Sequence, residues 1–365
     1  MRVPRPSRYG PVLLLALGAC GGDSSAGRSV MTLRDGACKS CRIVAESIAY
    51  LGNPEDSVAL REDVIPARDS RGRYYLADFK GGTVLVFGPN GRLMKSFGKP
   101  GRGPGEFVAL RAVFAGKGDT LLVVGGPQVH VISPDYVQVR EYRNLGGSID
   151  EMTSTLLADG RILSGGLSRH RFLIVDSMGN VASRVTLAGI DSTPCGECGE
   201  RVYREAREPG LLWSGPLNTY RIEQHDLTGA FRKRFTRSAR WFHEWGPTEI
   251  AARNVSVELS RPRLMGIDEA SDGLLYAHVS LGENVESLGK VDEDVPKQMA
   301  ELWARVKTYV EAIDPERGAV LASTKLDGLV VPMTARDYSA QLVVDDAGGW
   351  AWKIIRFHVE GRPAS

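Results

Sequence analysis

The sequence predicts an all-β protein, a six-bladed β-propeller of four-stranded antiparallel blades. Three observations predict it. First, Arg73–Phe107 contains short β-rich runs at Tyr74–Ala77, Thr83–Phe87 and Leu93–Phe97, parted by turns at Lys80-Gly81-Gly82 and Pro89-Asn90-Gly91. Runs joined by such short Gly-containing turns make an antiparallel meander, not a βαβ unit. Second, the turns recur. One series is Arg71-Gly72, Lys117-Gly118, Asp159-Gly160, Pro209-Gly210 and Asp272-Gly273, with a degenerate copy near Asp337-Tyr338. The other is Pro89-Asn90-Gly91, Ser133-Pro134-Asp135, Ser177-Met178-Gly179, Leu227-Thr228-Gly229, Pro315–Gly318 and Glu360-Gly361. Third, the period is about 42 to 50 residues, the length of a propeller blade, and six units fit.

Taken in order, the chain opens with Arg2, Arg5 and Arg8 before a short apolar run, Val12–Leu17. This is the pattern of an export signal and is too short to span a bilayer. Leu17-Gly18-Ala19-Cys20 resembles a bacterial lipobox, which implies cleavage before Cys20 and lipidation of its thiol. Gly21 follows the cysteine where Asp would favour inner-membrane retention, so the resemblance implies the outer membrane, facing periplasm or cell surface. Residues 1–19 are thus expected to be a signal peptide, 20–37 a flexible polar tether, and 38–365 the propeller.

Arg42–Leu51 precedes the first full unit and is expected to be the outer strand of blade 6, closing the ring and pairing edges that otherwise invite aggregation. Blade 1 is expected over about 63–98, blade 2 over 109–145, blade 3 over 149–187 and blade 4 over 202–235. Two insertions, at about 239–263 and 283–305, break the rhythm around blade 5, and blade 6 follows over 329–359. The first insertion carries Trp241 and Trp245. The second contains Pro296–Val306, with Pro in the first turn and Met299, Leu302, Trp303 and Val306 on one face, the pattern of a short amphipathic helix.

The Tyr74–Asp78 strand, Val84–Phe87, Asn90-Gly91-Arg92, Phe97-Gly98 and Gly101-Arg-Gly-Pro-Gly-Glu-Phe107 look like an NHL-repeat unit. The chain as a whole resembles the bacterial six-bladed β-propeller lipoproteins of NHL-like type. The match covers Val64–Phe107 well. In other blades Gly125-Gly126 stands where Asp78 does, and the Gly-Pro-Gly linker is lost. The fold carries over more firmly than any activity.

Composition excludes some classes. A net charge of +2 among 365 residues gives no reason to expect nucleic acid. Export places Cys38, Cys41, Cys195 and Cys198 in an oxidising compartment. Two C-x-x-C pairs suit two local disulfides. A zinc site would need them together, whereas the repeat order sets them on different blades, and a redox pair lacks its βαβ context. The six histidines form no HExxH motif or close ligand pair, and His130, His170, His225 and His358 fall in or beside third strands. There is no Gly-x-Ser-x-Gly elbow, and Gly101–Gly105 lacks the Lys-Ser/Thr of a phosphate loop.

Inner strands line a propeller's channel, so Arg68, Asp69, Arg111, Arg204, Arg263, Arg336 and Asp337 are expected to make a polar binding face at its mouth, with Trp241, Trp245 and Trp303 from the insertions. No catalytic, cofactor-binding or metal residues are identified. The reading is a non-catalytic, lipid-anchored module of the cell envelope that binds a protein, peptide or glycan. The alternative is a metal-dependent lyase or lactonase-type hydrolase at the channel mouth. Similar propellers include zinc-dependent amidating lyases and Ca²⁺-dependent lactonases, so that alternative implies Zn or Ca.

Overall fold

The computed structural model describes residues 29–52, 60, 64–78, 81–143, 149–150, 153–168, 171–189, 200–245, 259–289, 291, 295–344 and 349–362. Cys20, His170, Cys195 and Cys198 lie outside these. The fold is the six-bladed propeller that the repeats predict. Blade 1 is Ala67–Arg68, Tyr74–Asp78, Thr83–Phe87 and Leu93–Phe97. Blade 2 is Leu110–Ala115, Leu121–Gly125, Gln128–Ile132 and Gln138–Arg143. Blade 3 is Ser154–Leu156, Ile162–Ser168, Arg171–Val175 and Val181–Thr186. Blade 4 is Arg201–Glu205, Leu211–Pro216, Arg221–Asp226 and Phe231–Thr236. Blade 5 is Arg263–Glu269, Leu275–Gly282, Val306–Asp314 and Ala319–Asp327. Blade 6 is Val330–Pro332, Tyr338–Val344 and Trp350–Glu360, completed by Arg42–Leu51.

Burial follows position in the blade. Middle strands are covered on both faces by neighbouring blades, so Leu121–Gly125 is buried throughout. Outer strands have one face against the next blade, so Val181–Thr186 begins with strict alternation of partly buried and exposed residues.

Ring closure occurs as expected: Arg42–Leu51 pairs antiparallel with Trp350–Glu360, joining Arg42 to Glu360 and Leu51 to Trp352. The expected tether, however, is not free along its length. Ser29–Thr32 adds to blade 4 as a fifth strand, parallel to Phe231–Thr236. Leu33 sinks into the core beside Trp213 and Phe235. Arg34 bridges to Ala319 at the edge of blade 5, and Asp35 receives Arg237 at 2.7 and 2.9 Å. The reason is twofold: the outer edge of blade 4 offers unpaired backbone groups, and Leu33 supplies an apolar anchor within a polar-looking stretch. A Cys38–Cys41 disulfide then turns the chain into the closing strand, where Ser40 Oγ donates to Gly361 O at 2.9 Å. Residues 29–51 thus form a belt over the rims of blades 4, 5 and 6.

The two turn series need left-handed backbone. In the first-to-second-strand hairpins, Gly72, Gly118, Gly160, Gly210 and Gly273 have φ between 68° and 89°, and Asp337 fills the degenerate sixth position at 71°. Asp tolerates this region better than most residues. In the third-to-fourth-strand turns of blades 1 to 5, four positions are glycine and the other is Tyr136, at φ 67°, while Gly361 holds the matching place after the third strand of blade 6. The Tyr136 ring stacks with Phe97 at 5.3 Å, lies under Lys95 Nζ at 3.5 Å, and its hydroxyl accepts from Arg73 at 2.8 Å. Those contacts hold a conformation that the residue type disfavours.

Candidate functional site

Each inner strand runs the same way through the disc, so its first and last residues lie at opposite ends of the channel. The first-to-second hairpins and third-to-fourth turns share one end, here the hairpin end. The blade-to-blade linkers and second-to-third loops share the other, the linker end. The seven polar candidates therefore do not all share one end. Arg68, Asp69, Arg204, Arg336 and Asp337 lie toward the hairpin end, whereas Arg111 and Arg263 lie toward the linker end.

Most of those residues hold blades together. Arg204 donates to Asp268 at 2.9 and 3.1 Å, and Asp268 also accepts the Asp337 N–H at 3.0 Å, tying blades 4, 5 and 6. Arg336 caps the Glu269, Glu205 and Ala206 carbonyls. Asp69 accepts from Arg73 at 2.6 Å and from the buried Tyr75 hydroxyl at 2.8 Å. The Arg68 guanidinium lies 4.1 Å over the Tyr338 ring of blade 6. Arg263 covers the Trp245 ring at 5.6 Å, and Arg111 is exposed. Between the inner strands, a cavity lined by Ile65, Tyr203, Arg204, Met265 and Pro332 measures about 20 Å³, room for roughly one water.

A recurring device at this end has no mark in the sequence. The backbone N–H one residue into the hairpin of one blade donates to a carboxylate of the next. Ser70 donates to Asp119 at 2.9 Å, Ala158 to Glu205 at 2.7 Å, Arg207 to Glu269 at 2.9 Å, and Ser271 to Asp337 at 2.6 Å. Four of the six seams are latched this way among the described residues. The bonds to Ser70 hold the Asp119 carboxyl below its usual range, whereas burial raises that of Glu205.

The linker end is built differently. In the first insertion, Trp241 stacks on Tyr309 at 4.2 Å, while Trp245 is buried and donates from Nε1 to Pro262 O at 2.9 Å. Both side chains take part in packing, Trp245 buried and Trp241 partly so. In the second insertion, helix α1 (Pro296–Ala304) forms as the apolar spacing predicts. Met299 and Leu302 are buried against Val285 and Val291. Trp303 meets Trp350 edge-on at 6.5 Å.

Between that helix and the seam of blades 5 and 6 is a cavity of about 270 Å³. Its walls include Trp303, Lys307, Asp327, Leu329, Gln341 and Leu342. Lys307 Nζ lies 2.9 Å from Asp327 Oδ1, and Gln341 Nε2 donates to the Asp327 carbonyl at 2.6 Å. The Trp303 Nε1–H is shielded from solvent and has no acceptor among the described residues. Sequence reasoning found Trp303 but missed Lys307, Asp327 and Gln341, which sit in strands with no unusual spacing.

Other polar groups are buried as structure. Burial works to raise the Glu223 carboxyl, but Arg201, Arg221 and Arg234 hold it below its ordinary range. Burial pushes the His278 imidazole down to about 3, edge-on to Phe357. His130, His225 and His358 lie in third strands as expected, and His278 lies in a second strand. Among the described residues no three His, Cys, Asp or Glu side chains gather into a metal-binding group. Nor is any described helix long and apolar enough to cross a membrane.

No protein-family model matches this sequence, and no curated protein matches it. Solved structures do. A member of the DUF4221 family from Bacteroides vulgatus superposes with a TM-score of 0.62 at 12% identity, over 88% of this chain and 99% of that one. A Bacteroides fragilis protein described as exported superposes at 0.53 with 11% identity, over 92% and 99%. At these identities the likeness establishes the fold alone. Virginiamycin B lyase from Staphylococcus aureus, at 0.44 and 10% identity over 87% and 99%, is more distant.

Proposed function

We propose that this chain is an exported, lipid-anchored β-propeller that acts as a non-catalytic binding module of the cell envelope. The observation that carries the reading is the contrast in free volume. The cavity beside Arg204 and Pro332 has room for about one water, while the inserted helix builds a 270 Å³ cavity on a rigid blade seam. Inserted segments placed on a rigid scaffold are where binding residues concentrate. The lipobox-like Leu17–Cys20 and the Bacteroides fragilis neighbour described as exported support the location. The alternative, a metal-dependent lyase or lactonase-type hydrolase, finds no donor cluster among the described residues.

Lipidation at Cys20 has a geometric consequence. From Cys20 to Ser29 the chain reaches at most about 30 Å, so the blade 4 rim stays within about that distance of the membrane. Fractionation of cells expressing the full chain tests the anchor. Wild type is expected in the membrane fraction with an acylated Cys20 in its mass spectrum, and Cys20→Ser in the soluble fraction. Equal partition of the two overturns the anchor. The same cells test binding by chemical crosslinking at the blade 5–6 seam. An adduct lost on replacing 284–304 with a short turn supports the module, and an unchanged adduct pattern counts against it.

A further inference from the structure

We propose that the cavity between helix α1 and blades 5 and 6 binds one uncharged saccharide residue, an inference that rests on the binding-module reading and gives its ligand a chemical class. Four observations bear on it. Size is the first: about 270 Å³ lies just below the usual range for small-molecule sites, which suits a single small ring. Charge is the second. The Lys307 ammonium is answered by Asp327 at 2.9 Å, so the walls leave no free charge to recruit an ion.

The third is the mixture of hydrogen-bonding demands. The Lys307 ammonium donates to Asp327 and, at 3.3 Å, to the Ala304 carbonyl, which leaves a third N–H for a ligand oxygen. The Asp327 carboxylate, exposed beyond its pair with Lys307, retains acceptor capacity and favours ligand O–H donors. Gln341 spends its Nε2 on the Asp327 carbonyl, which leaves its Oε1 as an acceptor. One ligand must therefore donate and accept within a few ångströms. A hydroxyl does both, and an array of hydroxyls on a ring does so repeatedly. The fourth is the rest of the wall. Leu329, Leu342, Val343 and Val344 are aliphatic and match the C–H face of a pyranose, which a uniformly polar ligand would leave unsatisfied.

Calorimetry on the purified full chain tests this with glucose, galactose, mannose and N-acetylglucosamine as neutral probes. Glucuronate and glucosamine serve as charged counterparts, and the tripeptide Ala-Val-Ala as a non-sugar. At least one neutral sugar is expected to bind in about the millimolar range, the affinity of a ligand of that size. Its charged counterparts should bind more weakly. Lys307→Met keeps the aliphatic stem and removes the donor, and should weaken binding about fivefold, as should Gln341→Ala. Met94→Ala, on the rim of blade 1, should not change it. Circular dichroism on each variant reports folding separately. Neutral-sugar binding that is unchanged in both Lys307→Met and Gln341→Ala overturns the proposal. Binding of Ala-Val-Ala but of no sugar, sensitive to Lys307→Met, overturns the saccharide class and leaves the module standing. With folded protein, no binding by any probe overturns the proposal and counts against the module at this cavity.

Discussion

The two ends of the disc are built on different principles. At the hairpin end the connections are short, their left-handed positions recur, and a carboxylate of one blade caps a backbone N–H of the last. At the linker end lie both insertions, the described helix and the 270 Å³ cavity. The difference teaches where each kind of selection acts. Every blade must meet its neighbour at the same angle, so one end repeats. Once that end fixes the angle, the other is free to carry segments of unequal length.

Three substitutions break or sharpen this contrast. The largest effect is expected for Asp268→Ala. It strips Arg204 of its partner and the Asp337 N–H of its acceptor in a buried setting, and should cost about 3–5 kcal/mol, read as a lower urea midpoint. A loss below about 1 kcal/mol would show that the hairpin end is not what sets the blade angle.

Next is a pH effect in the seam of blades 5 and 6. The unfolded chain protonates His278 near 6.5, but in the folded protein it stays neutral down to about 3. Its contribution is therefore complete above pH 6.5 and is lost as pH falls through the window between those values. From pH 6.5 to 4.5 this amounts to roughly 2–3 kcal/mol. In urea titrations His278→Phe should flatten that part of the stability profile, and parallel profiles for the two proteins would refute the assignment.

The smallest effect is expected at the linker end. Trp303→Phe should change stability by no more than about 1 kcal/mol. A stability loss as large as that of Asp268→Ala would mean that the insertion supports the fold and does not merely ride on it.

The sequence made the repeating end visible because left-handed turns demand particular residues. Five glycines and Asp337 marked one series even where the strands between them had diverged. Tyr136 escaped notice because tertiary contacts, not its own preference, hold its backbone. The latch acids were invisible for another reason. Glu205 and Glu269 accept from backbone N–H groups of Ala158 and Arg207, and a backbone donor leaves no trace in residue identity. The docking of Ser29–Thr32 was hidden too, since an added edge strand requires hydrogen-bonding geometry and little side-chain pattern. The cavity was half legible. Helical spacing exposed Trp303, but Lys307, Asp327 and Gln341 are ordinary strand residues until the fold brings three segments together.

The belt over blades 4, 5 and 6 also bears on how the ring is made. Arg42 and Glu360 are partners, so the strand that finishes blade 6 is among the earliest parts of the domain to be synthesised and its mate among the last. Loops of that length close slowly, and apolar edges stay open meanwhile. Ser29–Thr32 is likewise made long before Phe231–Thr236. The nascent chain therefore carries its two earliest strands unpaired until the blades that receive them exist. Those unpaired edges are the part of the emerging chain most open to aggregation, so shielding them favours the yield of folded protein.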